Sequence, residues 1–162
     1  MTLDTLVQDL AISLRAKSSS KTPGLGSEIE AIDEALIEDK IRTLALDLDS
    51  QTFNGTKHSY KNKLMDLIGV KNDQKNSASF ITITNGYIFL NDLGVKNITK
   101  CAERFPAVFD YSVEENMKPK VEYLRSIGVK DVGRFIERSP PVLGYSVEEN
   151  MKPKVEYLRS IG

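Results

Sequence analysis

The sequence has little of what most catalytic and metal sites are built from. Its 162 residues include one cysteine (Cys101), one histidine (His58) and no tryptophan. A single cysteine cannot form an internal disulfide or a cysteine-based zinc site, and His58 lies in a polar stretch without metal-ligand spacing. We therefore expect no catalytic residues, no metal and no cofactor. An enzyme is the least favoured class of function.

The chain also lacks an excess of charge and a long apolar run. Its 22 Lys and Arg residues nearly balance 23 Asp and Glu residues, for a formal net charge of −1, so it is not a strongly basic domain. No apolar run approaches the roughly 20 residues of a membrane span, and no membrane partner is predicted. Because the N-terminal stretch contains Asp4 and Asp9, it is unlike a signal peptide or an acid-poor transit peptide.

What the sequence does have is an internal repeat with a period of 34 residues. Residues 111–128, YSVEENMKPKVEYLRSIG, return letter for letter at residues 145–162. The register extends towards the N-terminus, where residues 93–96 match residues 127–130. A fixed period in this range is typical of a solenoid, in which each unit buries its apolar face against its neighbours. We therefore expect an all-α fold, a short helical-repeat solenoid preceded by N-terminal amphipathic helices.

Helix-start and helix-stop residues divide each repeat. Ser112 and Glu115 are placed to cap a short helical turn, and Pro119 suits the start of a new helix over residues 119–127. Gly128 ends that helix, and Asp131 caps a second one that Pro140 stops near Ser139. The apolar side chains expected to be buried are Val121, Leu124, Ile127, Val132, Phe135 and Ile136.

The N-terminal region predicts two amphipathic helices, over residues 2–16 and 27–50, joined by a flexible connector at residues 18–24. Ser27 and Glu30 form a candidate capping box. The apolar stripe of the second helix consists of Ile29, Ile32, Leu36, Ile41, Leu44 and Leu48. We expect these helices to pack on each other or on the solenoid, and a coiled-coil dimer is the alternative.

Residues 51–85 predict a linker or a degenerate repeat. Asn54-Gly55 indicates a turn, and residues 61–68 a short helix ended by Gly69. Gly69-Val70-Lys71-Asn72 returns at residues 94–97, which is a weak echo of the repeat. The predicted division is thus 1–50, 51–85 and 86–162.

The stretch FITITNGYIFL, residues 80–90, supports two opposed predictions. Its β-branched and aromatic residues around Asn85-Gly86 favour a β-hairpin. The 34-residue register instead aligns residues 86–93 with residues 120–127, which are expected to be helical. An isolated hairpin is marginally stable, so we favour a helix from about Tyr87.

The repeat also resembles a known family. The pattern runs from proline through Tyr-Ser-Val-Glu-Glu-Asn and Lys-Pro-Lys-Val-Glu-Tyr-Leu-Arg-Ser-Ile-Gly, at residues 106–129 and again at 140–162. It is similar to the repeat of the mitochondrial transcription termination factor (mTERF) family, and the resemblance covers residues 86–162. It implies a superhelix of three-helix repeats that acts in mitochondria or plastids. It also implies binding to DNA or RNA and a role in organellar transcription, its termination, or RNA metabolism.

Lys and Arg residues would carry such binding, because they contact phosphates. Lys100 and Arg104 lie four residues apart on one helix face, and the register aligns them with Arg134 and Arg138. Stacked repeats would place these four cations in a stripe, although a solvated surface whose charge is tempered by Glu103 and Glu137 is the favoured explanation. Four further candidates flank the helix-starting prolines: Lys118, Lys120, Lys152 and Lys154.

Two functions of different classes remain open. The first is a nucleic-acid-binding regulator in an organelle, with double-stranded DNA or RNA as the partner. The second is a non-catalytic protein-interaction solenoid, which the near-zero net charge and the small number of repeats favour. The register requires another helix after Gly162, so we expect a fragment, a truncated gene product or a deliberately repeated sequence. Val155, Leu158 and Ile161 would otherwise form an open face, available for a protein partner or for self-association through residues 153–162.

Overall fold

A computed structural model describes residues 2–19, 27–51, 57–69 and 78–162. Eight α-helices and no strand occur in these ranges, so the predicted all-α class is confirmed. The helices are Leu3–Ser19 (α1), Ser27–Ser50 (α2), Lys57–Leu67 (α3), Phe80–Asp92 (α4), Ile98–Arg104 (α5), Lys118–Ser126 (α6), Val132–Arg138 (α7) and Lys152–Ser160 (α8).

The two predicted N-terminal helices are present as α1 and α2. Helix α1 packs against α2 and α3, and α2 lies along α4, so this region contacts both itself and the repeats. Leu36, predicted to be buried, is 57% exposed, and this prediction was wrong. The buried stripe of α2 is Ile41, Ala45 and Leu48, and Leu36 lies five residues before Ile41, about 140° around the helix.

Several predicted local features lie outside the described residues. These are most of the 18–24 connector, the Asn54-Gly55 turn, and the side chains of Ser27, Glu30 and His58. The predicted division at residues 50 and 85 stays a prediction. One apolar core runs continuously through the described helices from Leu6 to Met151.

The contested stretch is helical throughout as α4, so the helix prediction is right but begins seven residues too late. The β-hairpin prediction is wrong. Helix α4 begins at Phe80 because Ser79 accepts a hydrogen bond from the Thr82 N–H. In addition, the Asp49 carboxylate accepts from the N–H groups of Phe80 (2.8 Å) and Ile81 (3.0 Å). These acceptors satisfy N–H groups that have no partner within the helix.

Each repeat contains a short helix, a 3₁₀ turn, a π-helical turn and a longer helix, in that order. The first runs from α5 through residues 106–110 and 113–117 to α6, and the second from α7 through 140–144 and 147–151 to α8. The predicted caps are confirmed, since Ser112 accepts from the Glu115 N–H and Asp131 accepts from the Arg134 N–H. The predicted break before Pro119 is wrong: the π turn runs directly into α6.

Glycine turns position the short helices of successive repeats. Gly69, Gly94 and Gly128 follow α3, α4 and α6 and have φ of +83°, +91° and +101°. Such values suit glycine, which has no Cβ. Thr99 of α5 lies against Gly69, since a Cβ added to that glycine would be 3.3 Å from Oγ1 of Thr99. Gly133 of α7 lies against the turn at Leu93, where its own Cβ would overlap the carbonyl oxygen.

Burial within the repeats follows the predicted pattern except at one residue. Val121, Leu124, Val132 and Ile136 are buried, and Ile127 is half-buried. Phe135 is 38% exposed, so its predicted burial was wrong. Cys101 occupies the equivalent position in the preceding repeat and is buried. The two positions differ because α7 packs against α5, whereas no described element packs on α7 from its other side.

Candidate nucleic-acid interface

The four cations of the predicted stripe all have exposed side chains on two neighbouring helices. Lys100 and Arg104 lie on α5, and Arg134 and Arg138 lie on α7, which packs against α5. The residue before each helix accepts a hydrogen bond from the backbone N–H of that helix's first cation. Asn97 Oδ1 lies 2.9 Å from the Lys100 nitrogen, and Asp131 Oδ1 lies 3.0 Å from the Arg134 nitrogen. The same local chemistry thus sets the rotation of both helices and presents equivalent cations from each.

The side chains of these four cations differ in whether they already form hydrogen bonds to the protein. Arg104 Nη1 donates to the backbone carbonyl of Arg138 at 3.0 Å, which joins one repeat to the next. In the part of the chain that the structure describes, the side chains of Lys100, Arg134 and Arg138 form no ion pair or hydrogen bond. They are therefore available to an external anion, while Arg104 shares its guanidinium with the protein.

Acidic side chains on the same two helices lower the local positive charge. Glu137 is held by the protein, because its Oε1 accepts the Asn97 N–H at 3.0 Å. Glu103, one repeat earlier, is exposed. Each short helix therefore presents two cations and one carboxylate, which leaves a modest positive surface.

Lys118 and Lys152 each pair with a glutamate of the π turn that precedes their helix. Lys118 Nζ lies 2.6 Å from Oε1 of Glu114, and Lys152 Nζ lies 2.5 Å from Oε1 of Glu148. The hydrogen bond to Glu148 is the main cause of a raised pKa at Lys152. Both lysines are accessible, but a phosphate would have to compete with a neighbouring carboxylate.

Lys120 and Lys154 hold equivalent positions in very different surroundings. Lys120 is buried, its Nζ donates to the Leu143 carbonyl, and burial lowers its pKa. It also lies over the Tyr111 ring, with Nζ 5.1 Å from the centroid. Lys154 is exposed, 5.5 Å from the Tyr145 centroid. Lys120 therefore does not share the surface of the other seven candidates.

The 34-residue repeat contains a further pair of cations that was not predicted from the sequence to contact nucleic acid. Lys96 and Lys130 are both exposed, each one residue before the residue that caps α5 or α7. Their spacing of 34 residues is the signal that could have identified them. They lie at the N-terminal ends of the two helices that carry the stripe.

Neither the Cys101 thiol nor the groove between α2 and α4 presents an activated side chain among the described residues. Cys101 is buried, and burial together with nearby Glu137 raises its pKa to about 11, so the thiol stays protonated at neutral pH. A groove of about 420 Å³ lies between α2, α4 and the π turn at residues 113–117. The cations in its wall, Arg42 and Lys118, are paired with Glu38 and Glu114.

Comparison with known proteins adds one match. The mTERF family model matches residues 88–162, which include α5 to α8 and the C-terminal end of α4. No curated protein and no solved structure matches the chain. No described helix combines the length and apolar character needed to span a bilayer. Members of the mTERF family are helical-repeat proteins that bind nucleic acids, and the family resemblance is confirmed over residues 88–162 of this chain.

Proposed function

We propose that the chain is a non-catalytic, nucleic-acid-binding helical-repeat protein that regulates transcription or RNA metabolism in mitochondria or plastids. The observation that supports this most is the exposure of Lys100, Arg134 and Arg138, within the segment that matches the mTERF family, without a side-chain partner among the described residues. Their repeat-equivalent positions suit a backbone with regularly spaced phosphates, the ligand that contributes most of the affinity in such complexes.

The proposed interface is the exposed face of α5 and α7. Lys100 and Arg134 are its main contacts, because each projects from the same position of its helix and has no partner among the described residues. Arg138 and the uncommitted part of the Arg104 guanidinium add to it. Lys118, Lys152 and Lys154 are peripheral, and Lys120 stabilises the repeat. Contacts of this kind read the phosphate backbone and not the base sequence, on duplex DNA or RNA.

The test compares two doubly substituted chains that lose the same charge. Lys100→Gln/Arg134→Gln removes two unpaired cations, whereas Lys118→Gln/Lys152→Gln removes two paired ones. Binding to a mixed-sequence 30-base-pair DNA duplex, and to the matching RNA duplex, is measured by fluorescence anisotropy between 50 and 200 mM salt. The first variant should bind at least about tenfold more weakly, and its log K against log salt should be shallower by about 2, since each phosphate contact contributes about 0.9.

The control variant should keep the salt dependence of the unmodified chain. Equal effects of the two variants would assign the binding to general charge and not to the α5–α7 face. If the unmodified chain shows no salt-sensitive binding to either duplex, the proposed function is wrong.

A second candidate function, a non-catalytic protein-interaction solenoid, is favoured by a different observation. Leu158 and Ile161 of the last described repeat are 61% and 63% exposed. Neighbouring apolar side chains on one surface are characteristic of an interaction site.

A further inference from the structure

A groove of about 520 Å³ lies where the N-terminal helices meet the first repeat. It is bounded by α1, the C-terminal end of α3, α4 and the start of α5, and no residue after Thr99 lines it. A volume of this size falls in the range of small-molecule binding sites, which combine an apolar wall with a few polar groups. The apolar wall here includes Ala16, Leu67 and Ile68.

The groove is open because a threonine stands where the next repeat has a glycine. Thr99 of α5 is the 34-residue equivalent of Gly133 of α7. Gly133 lets α7 close onto the turn after α4, where an added Cβ would overlap the Leu93 carbonyl oxygen. The corresponding turn after α3 contains Ile68 and Gly69, and there Oγ1 of Thr99 would lie 3.3 Å from a Cβ built on Gly69. The threonine side chain therefore keeps α5 from approaching its turn as α7 does, and space remains between them.

Two hydroxyl groups of residues that line the groove have no hydrogen-bond partner among the described residues. Tyr87 is only 5% exposed and Thr99 is half-buried, yet neither hydroxyl forms a hydrogen bond within the described ranges. A buried tyrosine hydroxyl usually has a partner, because an enclosed polar group without one costs free energy. A partner for either hydroxyl has to enter through the groove.

The groove also carries two opposite charges that do not pair with each other. Arg15 Nη1 donates to the Leu67 carbonyl at 3.3 Å, which fixes a guanidinium with five N–H donors beside the groove. The Asp66 side chain is exposed and forms no ion pair or hydrogen bond with any residue that the structure describes. One groove thus combines a cation, two hydroxyl groups and a carboxylate.

We propose that this groove binds a free α-amino acid with an apolar side chain. The carboxylate of the ligand accepts hydrogen bonds from the Arg15 guanidinium and from the hydroxyls of Tyr87 and Thr99. Its ammonium group pairs with Asp66, in the last turn of α3, where the helix dipole also favours a cation. Its side chain packs on Ile68.

The two charges of the groove indicate a ligand that carries both signs. A purely anionic ligand, such as a phosphate of a nucleic-acid strand, would be repelled by Asp66, and a purely cationic ligand would be repelled by Arg15. A zwitterion satisfies both residues at once. The proposed site is thus separate in chemistry from the cationic face of α5 and α7.

The experiment titrates the full chain with L-leucine and with L-phenylalanine, and it follows binding by calorimetry and by NMR amide shifts. At least one of the two should bind saturably, with one site per chain and shifts centred on residues 66–69 and on Tyr87 and Thr99. The N-acetyl derivative of that amino acid lacks the ammonium charge, and its methyl ester lacks the carboxylate. Each derivative should bind at least about tenfold more weakly, because one charged group of the groove loses its partner.

Conservative variants test the residues assigned to the ligand. Tyr87→Phe should weaken binding about tenfold and leave the thermal midpoint unchanged or higher, because the hydroxyl has no partner in the folded chain. Tyr123→Phe, which removes the hydroxyl of a half-buried tyrosine in α6, is the matched control and should bind normally. Asp66→Asn should weaken binding of the amino acid but not of its N-acetyl derivative. Asp47→Asn, at an exposed position of α2, should change neither.

Three results would each overturn the proposal. The first is no saturable binding of either amino acid at millimolar concentrations. The second is equal affinity for the amino acid and both of its derivatives, and the third is equal affinity of the Tyr87→Phe and Tyr123→Phe chains. Lys100→Gln/Arg134→Gln should not change amino-acid affinity, so this test is independent of nucleic-acid binding.

Discussion

At the scale of single residues, a buried lysine, Lys17, joins the two N-terminal helices to the end of α4 through ion pairs. Lys17 is only 7% exposed, and its Nζ lies 2.6 Å from Glu38 Oε1 and 3.7 Å from Asp92 Oδ1. Glu38 Oε2 also accepts from Arg42 Nη1 at 3.2 Å. Burial alone would raise the pKa of Glu38, but the hydrogen bond and charge of Lys17, with those of Arg42, outweigh it and lower the pKa below 4.5.

This lowered pKa predicts an acid-dependent loss of stability. The contribution of Glu38 is complete above the unfolded value near 4.5 and is lost as the pH falls through the lower folded pKa. Glu38→Gln should cost about 1–3 kcal/mol at pH 7, because Lys17 stays buried with less compensation, and nearly nothing once Glu38 is protonated in the unmodified chain. Urea denaturation from pH 7 to pH 3 measures this. Asp39→Asn, at the exposed neighbouring position, should show no such convergence, and a Glu38→Gln penalty that persists at pH 3 would contradict the assignment.

At the scale of helices, two glycines within helices have opposite surroundings: Gly86 in the middle of α4 and Gly133 in the first turn of α7. A Cβ at Gly86 in α4 would meet Phe109 Cδ1 at 3.4 Å and Met117 Cε at 3.7 Å, which are ordinary contacts. A Cβ at Gly133 in α7 would overlap the backbone of Leu93. Alanine has a higher helix propensity than glycine in a helix interior such as that at Gly86, whereas at Gly133 the steric overlap with Leu93 decides the outcome.

We therefore expect Gly133→Ala to destabilise the chain by about 1–3 kcal/mol, because α7 must move away from the turn. Gly86→Ala should be neutral or stabilising by up to about 1 kcal/mol. Chemical denaturation followed by circular dichroism measures both. If Gly133→Ala is as stable as Gly86→Ala, α7 does not pack on this turn.

At the scale of the whole molecule, comparing α6 with α8 distinguishes the stability that a helix owes to its own sequence from the stability that it owes to packing. Both helices have the sequence KPKVEYLRS and the same cap arrangement. Helix α6 buries Lys120, Val121 and Leu124, whereas α8 buries none of its residues. Isolated helices of this length are unstable in water, so nearly all protection must come from packing.

Amide hydrogen exchange should accordingly be slower in α6 than in α8 by at least about tenfold, as expected for a helix that opens only with the core. NMR is the suitable measurement, because proteolytic peptides from the two helices have the same mass. Equal protection in the two helices would mean that α8 is covered in solution.

Much of the repeat could be predicted because its determinants are local. Asp131 and Ser112 cap the helices that follow them, and Gly128 adopts the left-handed conformation that ends α6. Exposure of the cationic stripe was predictable for the same reason, since cationic side chains recur at equivalent positions 34 residues apart. The burial of Lys120 was not predictable, because the Leu143 carbonyl that accepts a hydrogen bond from its Nζ is 23 residues away in the sequence.

The sequence by itself determined the period, the caps and the glycine turns, because each depends on bonds between residues a few positions apart. Tertiary structure decided what those local signals left undetermined. Helix α4 replaces the hairpin that its own residues favour partly because Asp49, 31 residues before Phe80, supplies an acceptor at its start. Likewise, identical residues are buried in α6 and exposed in α8, since burial depends on which element lies alongside and not on the residue itself.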